Sequence, residues 1–206
     1  FLDQLHRSIE RTKRHDQYQS GLVVIDLDRF QVINESLGYP KGDEILVTVA
    51  QRMESCLRSE DLIAHFDGDN FAILLENIHG AQDAIRVANR LQKEISRPVQ
   101  VNGQEVFVTA SLGIAMVNIH YDHPQDLLRD AEAALSRAKA EGRGHYQIFD
   151  KDLHARSLSI LRMEAELRRA VERKEFRVYY LPIISLQSGK ITGMEALIRW
   201  EHPQRG

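Results

Sequence analysis

Three features that are scarce or missing in this sequence exclude whole classes of protein. The single cysteine, Cys56, falls within an amphipathic helical pattern, so an intramolecular disulfide framework is impossible and a buried thiol is expected. No apolar run approaches the length that spans a membrane, and the first residues lack the pattern of a signal peptide. The net charge is −3 and Lys and Arg are not clustered, which argues against a nucleic-acid partner.

The remaining composition is that of an ordinary soluble globular protein. Hydrophobic residues make up 43% of the 206 residues and charged residues 28%, enough to build a core and to solvate its surface. The length indicates one complete domain and a piece of another. We expect a cytoplasmic chain that is part of a larger protein with an upstream sensor segment, and we leave membrane anchoring of the full-length protein open.

Two short runs rich in β-forming residues, 61–66 and 70–75, meet at the pair Asp67-Gly68. Asp and Gly both tolerate the positive φ angles of a tight turn, so the pair predicts a β-hairpin. Asp67 and Asp69 then lie at its exposed tip. Taken alone, an acidic hairpin tip favours no more than a solvated turn.

A second acidic stretch changes that interpretation. The apolar run 21–27 predicts a buried central strand, and it leads directly into Asp26 and Asp28. Carboxylates at the end of a central strand, facing others on a neighbouring hairpin, form a hard oxygen site suited to Mg²⁺ and to phosphates held by that ion.

The rest of the chain predicts alternating helices and strands. Apolar periodicity and capping residues predict helices over residues 1–17, 29–37, 43–58, 81–96 and 124–141. Short strands over 99–101 and 105–108 flank Asn102-Gly103, the second of them with a possible continuation to residue 117, and an edge strand follows at 145–149. This order implies a mixed sheet with helices on one or both faces. We expect three segments: a domain over 1–150, a linker helix over 151–174 and a final segment over 175–206. In the final segment we expect strands over 175–184 and 190–200 joined by a Ser188-Gly189 turn.

The acidic motifs resemble those of the GGDEF domain, the family that contains diguanylate cyclases. The signature is degenerate here, Asp67-Gly68-Asp69-Asn70-Phe71, but further matches occur in the family's order, namely Asp26-Leu27-Asp28-Arg29-Phe30, Ile33-Asn34, Gly38, Gly42-Asp43 and the segment 134–143. The resemblance implies an α+β fold, the ferredoxin-like palm of nucleotide cyclases, with a central mixed sheet flanked by helices.

The final residues resemble the opening of an EAL domain, the family of cyclic di-GMP phosphodiesterases, which is built as a TIM-type barrel. The matching segments are Tyr179-Tyr180-Leu181-Pro182-Ile183 and residues 193–203. Glu195 matches the family's first metal-binding Glu, and the later metal ligands have no counterpart up to Gly206. The resemblance therefore implies that this chain alone does not hydrolyse cyclic di-GMP.

The GGDEF resemblance assigns expected roles residue by residue. Diguanylate cyclases join two GTP molecules, which requires positioning and charge neutralisation more than covalent chemistry. The resemblance implies a Mg²⁺ site from Asp26, the Leu27 carbonyl and Asp69, a guanine site from Asn34 and Asp43, phosphate contacts from Lys139 and Arg143, and an inhibitory product site from Arg58 and Asp61. The alternatives are cations at an exposed helix end for Lys139 and Arg143, helix capping for Asn34 and Asp43, and a surface ion pair for Arg58 and Asp61.

Two departures from the family pattern lie at the hairpin tip. Asp67 stands where the family has Gly, and it places a charged side chain where backbone approaches the triphosphate. Asn70 stands where the family has a metal-associated Glu, and it is a weaker ligand for a hard cation. We expect a regulatory module that binds GTP or cyclic di-GMP, or supports homodimerisation, for an EAL domain. An active diguanylate cyclase and a nucleotide-free scaffold remain the alternatives.

Overall fold

The computed structural model of the chain describes residues 1–15, 17–150, 166–171 and 173–201. The chain divides into two compact units, Phe1–Asp150 and Lys151–Gly206. The predicted linker helix over 151–174 lies mostly outside the described residues, of which 166–171 are helical. No helix within the described ranges is long and apolar enough to cross a membrane.

The first unit is organised around β1 (Gly21–Leu27), a strand of almost entirely buried residues. β1 pairs antiparallel with β3 (Asn70–Leu75) on one side and with β6 (Ala110–Met116) on the other. Beyond β3 lies β2 (Leu62–Asp67), and β7 (Tyr146–Ile148) pairs parallel with β6 at the opposite edge. Within the described part of the chain the sheet has five strands in the order β2-β3-β1-β6-β7.

Helices cover both faces of this sheet. One face is covered by α1 (Leu2–Arg14) and α5 (Pro124–Ala140), which form a core with Leu22 and Val24 of β1. The other face is covered by α2 (Phe30–Leu37), α3 (Tyr39–Ser55) and α4 (Ala81–Ile95), which form a core with Val23, Ile25 and Leu27. Successive side chains of a strand point to opposite faces, so burial on both sides explains the continuous apolar run of β1. The predicted mixed sheet flanked by helices is confirmed.

Several predicted boundaries were wrong. α1 ends at Arg14 rather than at residue 17, and α3 ends at Ser55 rather than at residue 58. α3 begins at Tyr39 rather than at residue 43, because Pro40 lies in the first turn, where a proline removes no intrahelical hydrogen bond. The strand expected to continue to residue 117 is interrupted: β4 (Val99–Val101) and β5 (Gln104–Val106) form a separate hairpin before β6 begins. Phe107, in the break, leaves 67% of its surface exposed.

The second unit contains an antiparallel hairpin of β8 (Phe176–Ile184) and β9 (Ile191–Trp200). Gly189 has a φ of 66° in the connecting turn, where the sequence predicts a Ser188-Gly189 turn. Both strands were predicted close to these bounds. Apolar side chains of the hairpin are exposed, among them Tyr180 and Ile198.

Candidate functional site

Backbone hydrogen bonds bring the tip of the β2–β3 hairpin to the acidic end of β1. Asp26 lies opposite Asn70 in the ladder, and the Leu27 N–H donates to the Asp69 carbonyl at 3.2 Å. Burial raises the pKa of the Asp26 carboxyl, Lys139 opposes that rise, and the charge of Asp69 adds to it. The two carboxylates expected to act together are therefore near each other.

The turn at the tip differs by one residue from the predicted one. Asp67 is the last residue of β2 and pairs with Asn70, so the turn consists of Gly68 and Asp69. Gly68 has a φ of 57°, whereas Asp67 retains a negative φ. A register shift between His65 and Asp67 accounts for the displacement, because a bulge adds a residue to one strand of the pair.

Side chains and backbone within the tip also hold its shape. The Asn70 amide donates to the Asp67 carbonyl at 3.3 Å, and His65 Nε2 donates to the Gly68 carbonyl at 2.7 Å. The His65 ring stacks on Phe71 with ring centroids 4.5 Å apart. Asp67 and Asn70 are both exposed, so the two departures from the family pattern face solvent at the tip.

Asp28 has a different role from the one its position in the acidic stretch suggests. Its Oδ1 accepts a hydrogen bond from Ser111 Oγ at 2.6 Å. Its Oδ2 accepts from Thr109 Oγ1 at 2.7 Å and from the Gly144 N–H at 3.0 Å. The side chain is buried, and its two oxygens connect the end of β1 to β6 and to the loops beside it. Asp28 therefore stabilises the site, with both of its oxygens already engaged by protein donors.

Lys139 of α5 contacts the acidic end of β1 directly. Its ammonium nitrogen lies 2.5 Å from Oδ2 of Asp26. The side chains of Lys139 and Asp26 are 33% and 14% exposed, so the ion pair is partly shielded from water. Lys139 was predicted to reach phosphates, with an exposed cation at a helix end as the alternative; in this structure it neutralises a predicted metal ligand.

Asn34 and Asp43, the predicted guanine-reading residues, lie at the junction of α2 and α3. Asn34 Oδ1 is buried and has no hydrogen-bond partner. A Cβ added at Gly42 would lie 1.8 Å from this oxygen, so the Asn34 amide occupies the space that a larger residue at 42 would fill. Asp43 is exposed in the following position. Neither residue caps its helix, since the N-cap positions are Arg29 and Gly38, so the capping alternative was wrong.

Arg143 lines a cavity of about 470 Å³ beside the end of β1. Asp28 and Thr109 also contribute to this cavity, together with Arg29 and Phe107. Arg29 and Arg143 have φ angles of 55° and 63°, a left-handed conformation that is uncommon for residues other than glycine. The cavity therefore combines two cations and an aromatic surface, a combination suited to an anionic ligand with a ring.

Arg58 and Asp61, the predicted product site, lie in the turn after α3. The Asp61 carboxylate accepts hydrogen bonds from the N–H groups of Arg58 at 2.9 Å and Glu76 at 3.2 Å. The Arg58 guanidinium instead lies 3.7 Å from Glu60. The predicted alternative of an Arg58–Asp61 ion pair is thus replaced by a backbone-capping role for Asp61. Both residues line a pocket of about 130 Å³ with Arg86 and Arg90 among its other residues.

The oxygen donors at the site suit a Mg²⁺ ion that is also coordinated by phosphate oxygens. Among the described residues, no cluster of three or more His, Cys, Asp and Glu side chains could hold a metal ion by itself. Mg²⁺ in such sites is usually bound through one or two carboxylates, with phosphate oxygens and water as the other ligands. Asp26, Asp69 and the Leu27 carbonyl offer that chemistry.

Two further expectations concern residues away from this site. Cys56 is buried and free, and burial raises the pKa of its thiol. Glu195 is exposed on β9, opposite Leu181. The role expected of Glu195, as the first metal ligand of an EAL domain, stays a prediction and concerns only the second unit.

Comparison with known proteins identifies both units. Residues 1–145 match the model of the family described as "Diguanylate cyclase, GGDEF domain". The chain belongs to the GGDEF family. Residues 164–206 of this GGDEF chain match the EAL domain model, so the second unit carries part of an EAL domain.

Curated relatives share this arrangement over nearly the whole chain. The "Bifunctional diguanylate cyclase/cyclic di-GMP phosphodiesterase MucR" of Pseudomonas aeruginosa is 36% identical over 204 residues, 99% of this chain and 30% of that protein. The "Cyclic di-GMP phosphodiesterase NbdA" of the same organism is 37% identical over 188 residues, 90% of this chain and 24% of that protein. The chain thus spans less than a third of the length of these relatives.

A solved structure supports the fold of the first unit. The crystal structure of the GGDEF domain of YfiN (also TpbB) from Pseudomonas aeruginosa has a TM-score of 0.70 and 35% sequence identity. The match covers 73% of this chain and 93% of that structure. The predicted cyclase-type α+β fold is confirmed by this likeness.

Sequence reasoning missed three contributors to the site. Asp28 was grouped with the candidate metal ligands, although its partners Thr109, Ser111 and Gly144 come from distant parts of the chain. Arg29 lies inside the quoted acidic motif, and its position beside Asp28 was the available signal. Phe107 gave no signal, because it occupies a stretch that the periodicity assigns to a strand interior.

Proposed function

We propose that this chain is part of a cyclic di-GMP signalling protein, in which the GGDEF domain acts as a regulatory nucleotide-binding module for an EAL phosphodiesterase domain. The observation that carries the proposal is the combination of an altered tip with a buried polar atom that has no hydrogen-bond partner. Asp67 and Asn70 replace the residues that the family uses at the tip, while Asn34, with its unpartnered buried oxygen, remains beside Gly42.

The residues around the site can bind and orient a guanine nucleotide. The orphaned Asn34 oxygen can accept a hydrogen bond from guanine, and the carboxylate of Asp43 can accept two. Arg143 and Arg29 can donate to phosphate oxygens from the cavity beside Asp28. Asp26, Asp69 and the Leu27 carbonyl would hold Mg²⁺, which supplies charge neutralisation of the phosphates when bound.

The tip argues against efficient catalysis. Two nucleotides must meet within a fraction of an ångström of their reactive geometry, and a misplacement of about 1 Å can cost roughly a hundredfold in rate. The Asp67 carboxylate adds negative charge at the exposed tip. Asn70, which lies opposite Asp26 in the ladder, lacks the negative charge of the family's Glu. Binding without turnover is the behaviour that these substitutions favour.

An active diguanylate cyclase is the second candidate. It is favoured by the retained Asp26 and Asp69, which the backbone hydrogen bond of Leu27 keeps together. The relative MucR is named as a bifunctional diguanylate cyclase and cyclic di-GMP phosphodiesterase, so the same pair of activities is a proposal for the whole protein here. A nucleotide-free scaffold is the third candidate, and the unpartnered oxygen of Asn34 argues against it.

Calorimetric titration of the 206-residue chain tests these candidates. GTP is titrated with and without Mg²⁺, cyclic di-GMP is titrated separately, and the GTP samples are assayed for product. We expect binding of at least one nucleotide without turnover. Turnover would establish the cyclase, and silence toward both nucleotides would leave the scaffold.

A pair of arginine variants then assigns the site of cyclic di-GMP. Arg58→Ala removes a guanidinium from the 130 Å³ pocket, whereas Arg129→Ala removes one that is 70% exposed on α5. We expect cyclic di-GMP binding to weaken only in Arg58→Ala. Equal affinity in the two variants would exclude that pocket as the binding site.

A further inference from the structure

The ion pair between Lys139 and Asp26 places a cation where the proposed metal ion would need to bind. The Lys139 ammonium is 2.5 Å from Asp26 Oδ2, a hydrogen-bonded contact. With the Asp26 side chain only 14% exposed, the pair is screened less by water than a surface ion pair. Lys139 thus takes up one of the two carboxylates available to a metal ion.

Close packing of α5 against the sheet holds Lys139 at this position. Ala131, Ala134 and Ala138 are buried on the inner face of α5. At Gly113 of β6 an added Cβ would lie 2.1 Å from the Ala131 carbonyl oxygen, so the helix backbone approaches the strand directly. Lys139, one residue after Ala138, extends from the inner face toward the end of β1.

Two neighbouring side chains, Asp28 and Asn70, do not replace the carboxylate that Lys139 occupies. Both oxygens of Asp28 accept hydrogen bonds from Ser111, Thr109 and Gly144. Asn70 is neutral and its amide donates to the Asp67 carbonyl. Lys139 lowers the net charge of the two candidate ligands, Asp26 and Asp69, from −2 to −1, which weakens their attraction for a divalent cation. The hydrogen-bonded carboxylate of Asp28 also acts on Asp26, with or without the lysine.

We infer that Lys139 is an internal counter-ion that keeps Mg²⁺ out of the site until a nucleoside triphosphate draws its ammonium away from Asp26. The inference rests on the proposed nucleotide site and deepens it, because it states the order in which the site fills. A divalent cation without nucleotide must displace the ammonium from Asp26. Phosphates offer the ammonium another partner and offer the metal additional oxygen ligands, so each ligand increases the affinity for the other by the same factor.

Mn²⁺ binding without nucleotide tests the inference directly. Free Mn²⁺ is measured by electron paramagnetic resonance during titration of the 206-residue chain, its Lys139→Met and Lys139→Gln variants, and the control Lys13→Met. Lys13 also forms an ion pair, with Asp122 at 2.9 Å, and this pair lies away from the site and has a more exposed carboxylate. Lys139→Gln keeps a hydrogen-bond donor beside Asp26 in case the methionine variant does not fold.

We expect Mn²⁺ alone to bind at least about tenfold more tightly to both Lys139 variants than to the unmodified chain, since a neighbouring opposite charge shifts a carboxylate's cation affinity by that order. Lys13→Met should bind like the unmodified chain. Adding Asp26→Asn to Lys139→Gln should abolish the gain, which locates the ion at Asp26. Unchanged Mn²⁺ affinity in a folded Lys139 variant, or a gain that survives Asp26→Asn, would overturn the inference.

The nucleotide arm of the experiment separates this inference from the proposed function. In the unmodified chain, GTP should raise the affinity for Mn²⁺, and in the Lys139 variants this increase should be smaller. If GTP binds to neither protein, the proposed nucleotide site fails, while the comparison with Mn²⁺ alone still decides whether Lys139 blocks the metal ligands. An equal effect of GTP in all variants would contradict the coupling.

Discussion

Replacement of Gly113 by alanine should destabilise the first unit, and by more than the same replacement of Gly21 in the neighbouring strand. The added Cβ would lie 2.1 Å from the Ala131 carbonyl oxygen, 2.4 Å from the Leu135 nitrogen and 2.8 Å from Leu135 Cβ. Two of these atoms belong to the backbone of α5 and cannot rotate away. Normal contact needs about 3.5 Å, so α5 has to retreat by roughly 1 Å along much of its length.

The magnitude follows from the cost of overpacking a core. Such substitutions typically cost about 1–3 kcal/mol, and the upper end applies here because a helix backbone has to move. A loss of about 3 kcal/mol in a chain of this size lowers the melting temperature by roughly 6–12 °C. The retreat of α5 also lengthens the contact between Lys139 and Asp26, so Mn²⁺ should bind more tightly to the folded variant.

Urea unfolding followed by far-ultraviolet circular dichroism measures this effect. The matched control is Gly21→Ala on the neighbouring strand β1. There an added Cβ would be in ordinary contact with the Ala115 carbonyl oxygen at 3.7 Å, and its two nearest neighbours would be Ile78 Cδ1 and Met116 Sδ, both at 3.4 Å. These atoms are ends of flexible side chains, so this variant should change the free energy of unfolding by less than about 1 kcal/mol. Equal stabilities of the two variants would refute the conclusion that close packing of α5 requires glycine at residue 113.

Three further predictions concern the tip, a buried acid and the nucleotide site. The double change Asp67→Gly with Asn70→Glu should create or raise cyclase activity, by up to about a hundredfold if placement limits the rate; no gain in a product assay would exclude geometry as the limit. Burial raises the pKa of Glu76 above its ordinary 4.5, so the contribution of Glu76 to stability should fall as pH rises from about 4.5 through the raised value. Glu76→Gln should therefore stabilise the protein more at pH 7 than at pH 4.5; urea unfolding of both proteins at these two pH values measures this, and an equal effect of the substitution at both would contradict it. Gly42→Ala should displace the Asn34 amide, because its oxygen would lie 1.8 Å from the added carbon. In calorimetry this variant should bind GTP about tenfold more weakly, with little loss of stability. Unchanged affinity for GTP would show that Asn34 does not belong to the nucleotide site.

The fold could be predicted from the sequence where local patterns and tertiary burial agree. The hairpin of β2 and β3 combines strand-forming runs with a turn pair, and β1 combines burial on both faces with β-branched residues. The start of α3 could not be predicted in the same way. Gly42 and Pro40 indicate a turn in the sequence, but their positions are explained by the close contact with Asn34 and by the first turn of the helix.

The candidate site was predictable as a set of residues but not as a set of contacts. Sequence motifs named Asp26, Asp69 and Lys139, yet no local pattern shows that α5 delivers the lysine to the aspartate. Asp28 illustrates the same limit. Its partners Ser111, on β6, and Thr109, just before β6, become its neighbours only in the folded sheet. Hydrogen bonds between distant segments decide which carboxylate is free, and spacing along the chain does not contain that information.

The backbone of the hairpin tip decides whether substitutions at residues 67 and 70 alone could restore cyclase activity. The Leu27 N–H still donates to the Asp69 carbonyl, and Asp26 still pairs with Asn70, so the strand register that positions the acids is intact. Gly68 supplies the positive φ that the turn needs. The substitutions at residues 67 and 70 therefore lie in exposed side chains of a hairpin whose backbone pairing holds the acids in place. If the domain lacks turnover, the cause should be these two side chains, which change both the charge around Asp26 and Asp69 and the placement of a nucleotide, and two substitutions can restore both without refolding the tip.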